Sequence, residues 1–180
     1  QLEVTSSANG TTTINVVENT SGATVTALDN TVIKGEKLSK STINVDGIKG
    51  EQTKITLDAS KVSNSSIVNE GKGKLNINIK SGEVKRLKVD AGENLKRADK
   101  IQVKDGVTLN KAQLNMGKGN DVIRFSNDAS LTGKSTIDLG KGGKDSIVIK
   151  NADLFENGKL VVTSFSKKDT IKIGDETFTY

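Results

Sequence analysis

The chain of 180 residues contains no cysteine, histidine, proline or tryptophan, and only one methionine and one tyrosine. Disulfides, thiol chemistry, imidazole metal sites and Ser-His-Asp triads are therefore excluded. Carboxylates, lysine amines and hydroxyls are the reactive groups that remain, and we predict that the protein is not an enzyme. Aromatic residues make up 3% of the chain, too few for base-stacking platforms, so we expect no nucleic-acid binding.

Long apolar segments are also missing, and no run reaches the roughly 20 residues of a spanning helix, so no membrane insertion is expected. The chain opens at Gln1 without a signal-peptide-like segment, and we expect a mature form that lacks the original N-terminus. A hydrophobic fraction of 33% together with 18 glycines and a net charge of +5 is typical of a folded domain and not of a disordered tail.

One isoleucine recurs at a nearly constant interval. Five-residue groups from TVIKG (at Thr31) to DTIKI (at Asp169) carry isoleucine in the third position, at spacings of 22 or 24 residues. The fifth position is apolar in six of the seven groups, with Gly35 the exception. Such a repeat is typical of solenoids, in which each unit stacks on the one before. The repeated residues are Ile33, Ile55, Ile77, Ile101, Ile123, Ile147 and Ile171.

Each group alternates apolar and polar residues, which indicates a strand with one buried face. A bend and a second apolar pair follow, such as Ile137 and Leu139, and glycine- and lysine-rich loops lead to the next isoleucine. We predict an all-β fold, a single-stranded right-handed parallel β-solenoid (β-helix) of about eight coils of 22–24 residues,. An antiparallel sandwich also has many short strands, but it does not place one residue at the same phase in seven successive units.

The ends of the chain depart from this phase. Residues 1–30 are predicted to form an N-terminal cap or an atypical first coil, because a stack must shield its ends. Residues 31–168 form the coils, and residues 169–180 form the last strand and a C-terminal cap in which Phe178 and Tyr180 cover the final coil. The segment GENLKRADK, from Gly92, is a candidate for one helical turn.

The loops before the last coils carry a second pattern. NMGKGNDVIRF (115–125), LGKGGKDSIVI (139–149) and SFSKKDTIKI (164–173) match parts of the nonapeptide G-G-x-G-x-D-x-U-x. They resemble the haemolysin-type (RTX) calcium-binding repeat of bacterial proteins secreted by type I systems. The matching glycines and aspartates are Gly117, Gly119, Asp121, Gly140, Gly143, Asp145 and Asp169.

The resemblance implies one or two calcium sites between stacked loops. Asp121, Asp145 and Asp169 would supply carboxylate ligands, while Gly117, Gly119, Gly140 and Gly143 would form tight turns or supply carbonyl oxygens. The favoured site lies between the loops that end at Asp121 and Asp145. The same loops carry five lysines, which repel a divalent ion. The alternative is that the aspartates are turn or stacking residues paired with these lysines: Lys118, Lys141, Lys144, Lys167 and Lys168.

The repeat and its loops together resemble the C-terminal regions of RTX-type S-layer and adhesin proteins, and the tail Glu176–Tyr180 resembles a type I secretion signal. This resemblance implies a secreted protein of the bacterial cell surface. The expected function is structural: a stiff solenoid that makes lattice or adhesive contacts and is stabilised by calcium. The expected partners are other copies of the chain, cell-surface polysaccharide or lipopolysaccharide.

Two other functions stay open. One is a carbohydrate- or receptor-binding module of the phage tail-fibre or polysaccharide-binding type. The other is a polysaccharide-active enzyme that uses carboxylate pairs on neighbouring coils, with Asp58 and Asp90 or Asp105 and Asp128 as candidates. The densest basic clusters begin at Lys80 and Asn94. They indicate either a solvated surface that discourages edge pairing or a face that binds acidic polysaccharide.

Overall fold

The computed structural model of the protein describes residues 2–92 and 96–180. The strands of the first half are β1 (Glu3–Thr5), β2 (Thr12–Ser21), β3 (Thr24–Ala27), β4 (Thr31–Ser39), β5 (Thr42–Val45), β6 (Gln52–Ser63), β7 (Ser66–Asn69), β8 (Lys74–Ile79), β9 (Glu83–Lys85) and β10 (Lys88–Asp90). Those of the second half are β11 (Lys96–Arg97), β12 (Lys100–Val103), β13 (Thr108–Asn110), β14 (Gln113–Asn115), β15 (Lys118–Gly119), β16 (Val122–Phe125), β17 (Ser130–Asp138), β18 (Ser146–Ile149), β19 (Asn157–Thr163), β20 (Thr170–Ile173) and β21 (Glu176–Phe178). A 3₁₀ helix covers Ala152–Phe155.

The strands form a parallel β-solenoid of about seven turns, which confirms the predicted fold. Each turn has three faces. The first face is the parallel ladder β2–β4–β6–β8–β12–β16–β18–β20. The second face contains the later halves of β2, β4 and β6, followed by β9, β13 and the start of β17. The third face is β1–β3–β5–β7–β10–β14 with the ends of β17 and β19.

Aliphatic columns from the three faces meet in one core. On the first face, six of the predicted isoleucines stack in register from Ile55 to Ile171. The third face contributes a column from Val25 through Ile67 to Ile137. Most of these side chains are less than 2% exposed, so apolar area is buried along most of the rod. Burial decreases at the last coil, where Ile171 is only partly buried.

The seventh predicted isoleucine is out of place in this column. Ile33 stacks on Leu57 and not on Ile55, whose neighbour is Thr31. The shift is two residues, so Ile33 still points into the core. It also places Gly35 opposite Ala59, whereas the predicted register would have set Gly35 opposite Leu57. The apparent exception at Gly35 thus belongs to a corner between two faces.

The segments that the sequence set apart take part in the same sheets. Within residues 2–30, β1, β2 and β3 pair in parallel with β3, β4 and β5 respectively. The first coil advances only 19 residues on the first face, from Thr12 to Thr31. At the other end, β21 turns back and pairs antiparallel with β20.

Two local predictions need correction or fall outside the described residues. Phe178 and Tyr180 are 45% and 78% exposed, so their side chains do not cover the final coil, and β21 contributes backbone hydrogen bonds instead. Residues 93–95 of the predicted helical turn lie outside the described part of the chain. The next two residues, Lys96–Arg97, form β11, which pairs in parallel with β15.

Candidate functional site

The glycine- and lysine-rich loops lie at the corner between the third and the first face, and we call this edge of the rod the loop corner. In successive coils it consists of residues 46–51, 70–73, 91–99, 116–121, 139–145 and 164–169, of which 93–95 are not described. Because the coils stack in register, loops more than 20 positions apart in the chain lie directly above one another. Every site residue predicted from the RTX-like pattern lies at this corner.

Four stacked aspartates, which we call the aspartate ladder, form the inner side of the loop corner. The Oδ1 atoms of Asp99, Asp121, Asp145 and Asp169 each accept a main-chain N–H from the preceding coil. The donors are Leu75, Asp99, Asp121 and Asp145, and the N–O distances are 2.6, 2.8, 2.8 and 2.9 Å respectively. All four residues are 2% exposed or less. The structure thus brings the three predicted aspartates together and adds Asp99.

Asp99 was missed because the loop before it has no glycine pattern. Its signal in the sequence was the group DKIQV, which has aspartate two positions before the repeated isoleucine, as the last three groups do. The aspartates were also expected to pair with lysine if they bound no metal. Among the described residues no lysine lies in ion-pair contact with them, and their partners are main-chain amides.

The Oδ2 atoms of the ladder aspartates differ in their contacts. Oδ2 of Asp169 accepts the N–H of Ser166 at 2.7 Å, and Oδ2 of Asp99 lies 3.7 Å from Nε of Arg97. Oδ2 of Asp121 is buried and has no hydrogen-bond partner within the described part of the chain. This atom therefore keeps a free lone pair in the interior, where an unpaired charge is costly.

Burial changes the acidity of the ladder. Loss of water first, and the neighbouring carboxylates second, raise the pKa of Asp121 to about 7 and that of Asp145 to about 6. The main-chain donors act in the opposite direction. The pKa of Asp99 is also raised, by burial first, although Arg97 opposes the rise. Both ionised and protonated carboxyls are thus present in the ladder near neutral pH.

Glycine is required where the loops cross. A Cβ atom on Gly140 would lie 1.6 Å from the carbonyl oxygen of Gly117, and one on Gly143 would lie 1.5 Å from that of Gly119. At Gly119 the same atom would lie 1.4 Å from the carbonyl oxygen of Arg97. The four predicted glycines therefore form two stacked pairs, in which the carbonyl of one coil faces the Cα of the next.

Arg97 fills the corner below these glycines. Its side chain is almost fully buried, and Nη1 donates to the carbonyl oxygens of Gly71 at 2.7 Å and Gly73 at 3.2 Å. Nη2 donates to the carbonyl oxygen of Ala91. The sequence placed Arg97 in a solvated basic cluster, and this assignment is wrong. Its planar guanidinium instead satisfies carbonyl groups of the preceding corner and of its own corner.

The outer side of the loop corner is a groove of about 970 Å³, which we call the lysine channel. Its floor includes Gly50, Ala98, Gly119, Gly142 and Gly143. Six corners contribute to it, and six of its seven lysines are exposed, with Lys118 half-buried. Lys144 and Lys167 lie outside its lining. The lysines of the channel are Lys49, Lys72, Lys74, Lys96, Lys118, Lys141 and Lys168.

The channel lysines form no ion pair with the residues that the structure describes. Within the described residues two ion pairs are present, Lys61 with Glu83 at 2.6 Å and Arg97 with Asp99. Neither involves a lysine of the channel. Among the described lining residues of the channel there is no aspartate or glutamate. The channel is therefore a continuous band of positive charge along one edge of the rod.

Of the two carboxylate pairs proposed for catalysis, one lies together in the structure and the other does not. Oδ1 of Asp105 accepts the N–H of Asp128 at 3.1 Å, so this pair does lie on neighbouring coils. Asp58 lies in β6 and Asp90 in β10, on the first and the third face respectively. Their separation on different faces means that they cannot flank one substrate bond.

The third face carries a shallower groove of about 560 Å³. Its polar lining comes from outward-facing residues of stacked strands, among them Asp90, Gln113, Asn115 and Asp138. Hydrogen-bonding side chains dominate here, and both signs of charge occur, in contrast to the lysine channel.

Comparison with known proteins identifies no relative of this chain. No family model, no curated protein and no solved structure matches the chain. Among the described residues, none of the helical structure has the length and apolar character needed to span a membrane. The same residues contain no cluster of three or more aspartates and glutamates arranged to hold a metal ion by side chains alone.

Proposed function

We propose that this chain is a rigid structural module of a secreted bacterial cell-surface protein, of the S-layer or adhesin kind. The observation that carries the proposal is the unbroken stacking of coils, with three parallel faces around one aliphatic core and only short loops between them. The resemblance of the loops to the RTX repeat supports the location and the protein class. Other copies of the chain or cell-surface polysaccharide are the proposed partners.

Stiffness is the physical property that such a module needs. Eight strands stacked at about 4.8 Å give the first face a length of about 34 Å. Bending the rod would lengthen the inter-coil hydrogen bonds on one face and open the aliphatic stack at the same time. Both changes carry a free-energy cost that grows with the number of coils. A rod of this kind transmits force and holds its side surfaces at fixed spacing.

Calcium belongs to this proposal as a stabilising ion between coils. Asp121 and Asp145, with the carbonyl oxygens of Gly117 and Gly119, would hold one ion, and Asp169 with the next pair of glycines would hold a second. The buried Oδ2 of Asp121, which lacks a donor, and the side-chain-free crossing of the glycines support the fit. Carboxylate and carbonyl oxygens are the ligands that calcium takes. When bound, the ion would neutralise buried carboxylates and cross-link adjacent coils.

Self-assembly tests the structural function. The purified chain, at high concentration and with calcium, is expected to form ordered arrays or filaments in electron microscopy and large species in sedimentation velocity. The Lys134→Gln/Lys159→Gln variant serves as a surface control. A chain that remains a monomer under these conditions, and that adheres to no cell-surface preparation, contradicts the proposal.

A carbohydrate-binding module is the second candidate, and the two grooves along the rod favour it. Binding in the absence of assembly would identify this function, whereas a compact trimer in solution would indicate the tail-fibre type. A polysaccharide-active enzyme is a weaker alternative, because of the two candidate pairs only Asp105 and Asp128 lie on neighbouring coils. Release of reducing ends from acidic polysaccharides would reveal it.

A further inference from the structure

We propose that the lysine channel is the binding site for a linear acidic polysaccharide, a polymer with a carboxylate or sulfate on successive sugars that lies parallel to the rod axis. The inference deepens the proposed function by naming the partner and its site, and it rests on that function for the surface location alone.

The positive charges of the channel recur once per coil along the rod. Six successive corners each place one or two lysines in the channel. At about 4.8 Å per coil the row of corners extends over about 24 Å. An extended 1,4-linked polysaccharide of pyranose sugars, such as a polygalacturonate, advances by nearly this coil spacing with each sugar. A polymer that carries one acidic group per sugar can therefore meet a lysine at successive coils without bending.

The lysine amines of the channel are available to bind an anionic ligand. Ion pairs in the described part of the chain involve Lys61 and Arg97, and no lysine of the channel. The aspartates beneath the floor are 2% exposed or less, and their Oδ1 atoms accept main-chain N–H groups. Stacked lysines repel one another, and a polyanion in the channel would relieve that repulsion.

The floor of the channel is accessible where glycines form it. Gly50 and Gly142 are exposed in the channel, Gly143 is half-buried, and none of them carries a side chain. A sugar ring can therefore approach the backbone beside the lysine stems, whose methylene groups supply apolar contact. Gly119 and Gly143 cannot be replaced without a clash with the preceding coil, so the stacking of the coils fixes glycine at these two positions of the channel.

The channel suits a polysaccharide better than a nucleic acid. Among its described lining residues none is aromatic, whereas proteins that hold single-stranded nucleic acid stack bases on aromatic rings. Lysine amines are compact point charges, and they match isolated carboxylate or sulfate groups without the bidentate geometry of arginine. Arg97 is the one arginine among the described lining residues, and it donates to backbone carbonyls of the corner.

A matched pair of variants tests the site. Lys118→Gln/Lys141→Gln removes two charges from adjacent corners of the channel. Lys134→Gln/Lys159→Gln removes two charges from exposed, register-paired lysines of β17 and β19 on another part of the rod. Lys118→Arg/Lys141→Arg keeps the charge of the channel. Binding of oligogalacturonate is measured by calorimetry at low and at physiological ionic strength, with circular dichroism as the check of folding.

We expect the wild type to bind oligogalacturonate and not dextran. The channel glutamine variant should weaken binding about tenfold, while the control variant and the arginine variant stay within about twofold of the wild type, and added salt should weaken all binding. Equal weakening by the two glutamine variants, binding of oligothymidylate as tight as that of oligogalacturonate, or no binding at all would overturn the inference. Array formation is scored on the same samples, and arrays without polymer binding would contradict this inference while leaving the structural function standing.

Discussion

The main-chain N–H of Asp121 donates to Oδ1 of Asp145 at 2.8 Å, although the two residues are 24 positions apart in the chain. The same bond joins Asp99 to Asp121 and Asp145 to Asp169. Asp99, Asp121 and Asp145 each accept a hydrogen bond from the coil before and donate their own N–H to the coil after. Asp169 ends the ladder, and its N–H donates to the carbonyl oxygen of Ser166. The ladder closes the loop corner, where regular strand pairing is limited to β11 with β15.

Removal of one acceptor from this ladder is expected to be costly. Asp121→Ala leaves the buried N–H of Asp99 without a partner, and we expect a loss of about 1–3 kcal/mol in the free energy of unfolding. Asp121→Asn keeps an Oδ1 acceptor and should lose less than Asp121→Ala. Urea denaturation followed by circular dichroism measures both. Equal stability of the alanine variant and the wild type would show that the ladder bonds do not stabilise the rod.

Stability should fall as the pH rises through neutrality in calcium-free buffer. The folded-state pKa of Asp121 is about 7 and that of Asp145 about 6, both above the unfolded value of about 3.9. The folded state therefore binds these protons more tightly, and the resulting stability is complete below the unfolded pKa and lost as the pH passes the folded pKa. Melting temperatures measured between about pH 5 and pH 8 should decrease, and the slope should be smaller in Asp121→Asn. A melting temperature that rises over this interval contradicts the assignment.

Calcium should reverse this loss at alkaline pH. Above the pKa of Asp121 the ionised ladder is ready to accept a cation, and millimolar calcium should raise the melting temperature. A concentration one hundred times the Kd would add about 2.7 kcal/mol to the free energy of unfolding. Thermal melting with calcium or with a chelator measures the effect, and Asp121→Asn/Asp145→Asn should abolish it. If calcium leaves the melting temperature of the wild type unchanged, the ladder is held only by the hydrogen bonds from main-chain N–H groups.

Two glycines in the same loop provide a controlled test of coil crossing. Gly140 and Gly142 have nearly equal φ values, +77° and +76°, but a Cβ would meet the Gly117 carbonyl at the first position and nothing within 4 Å at the second. Gly142→Ala should cost about 1 kcal/mol for the left-handed backbone alone. Gly140→Ala carries the same cost and also forces the coils apart, so we expect about 3 kcal/mol or more. Similar melting temperatures for the two variants would contradict the close crossing.

Much of the fold was predictable because its signals are local. Alternation of apolar and polar residues identifies a strand with one buried face, and one isoleucine per repeat identifies a stack. Register was harder to predict. Because side chains alternate with a period of two, a shift of two residues keeps Ile33 in the core, so alternation alone does not distinguish the predicted register from the observed one, in which Gly35 pairs with Ala59. The exposure of Phe178 likewise depends on how β21 turns back.

For the candidate site too, the sequence determined some features and the tertiary structure decided the others. Residue types and spacing by themselves determined that Asp121, Asp145 and Asp169 recur at equivalent positions and that glycines precede the first two. Tertiary structure decided what these residues contact, because hydrogen-bond partners 22 or 24 positions away become neighbours only when the coils stack. It also decided that Arg97 is buried, since the carbonyls that receive it belong to the preceding corner. The lysines, scattered along the sequence, become one channel for the same reason: stacking superimposes six loops that have no contact in the unfolded chain.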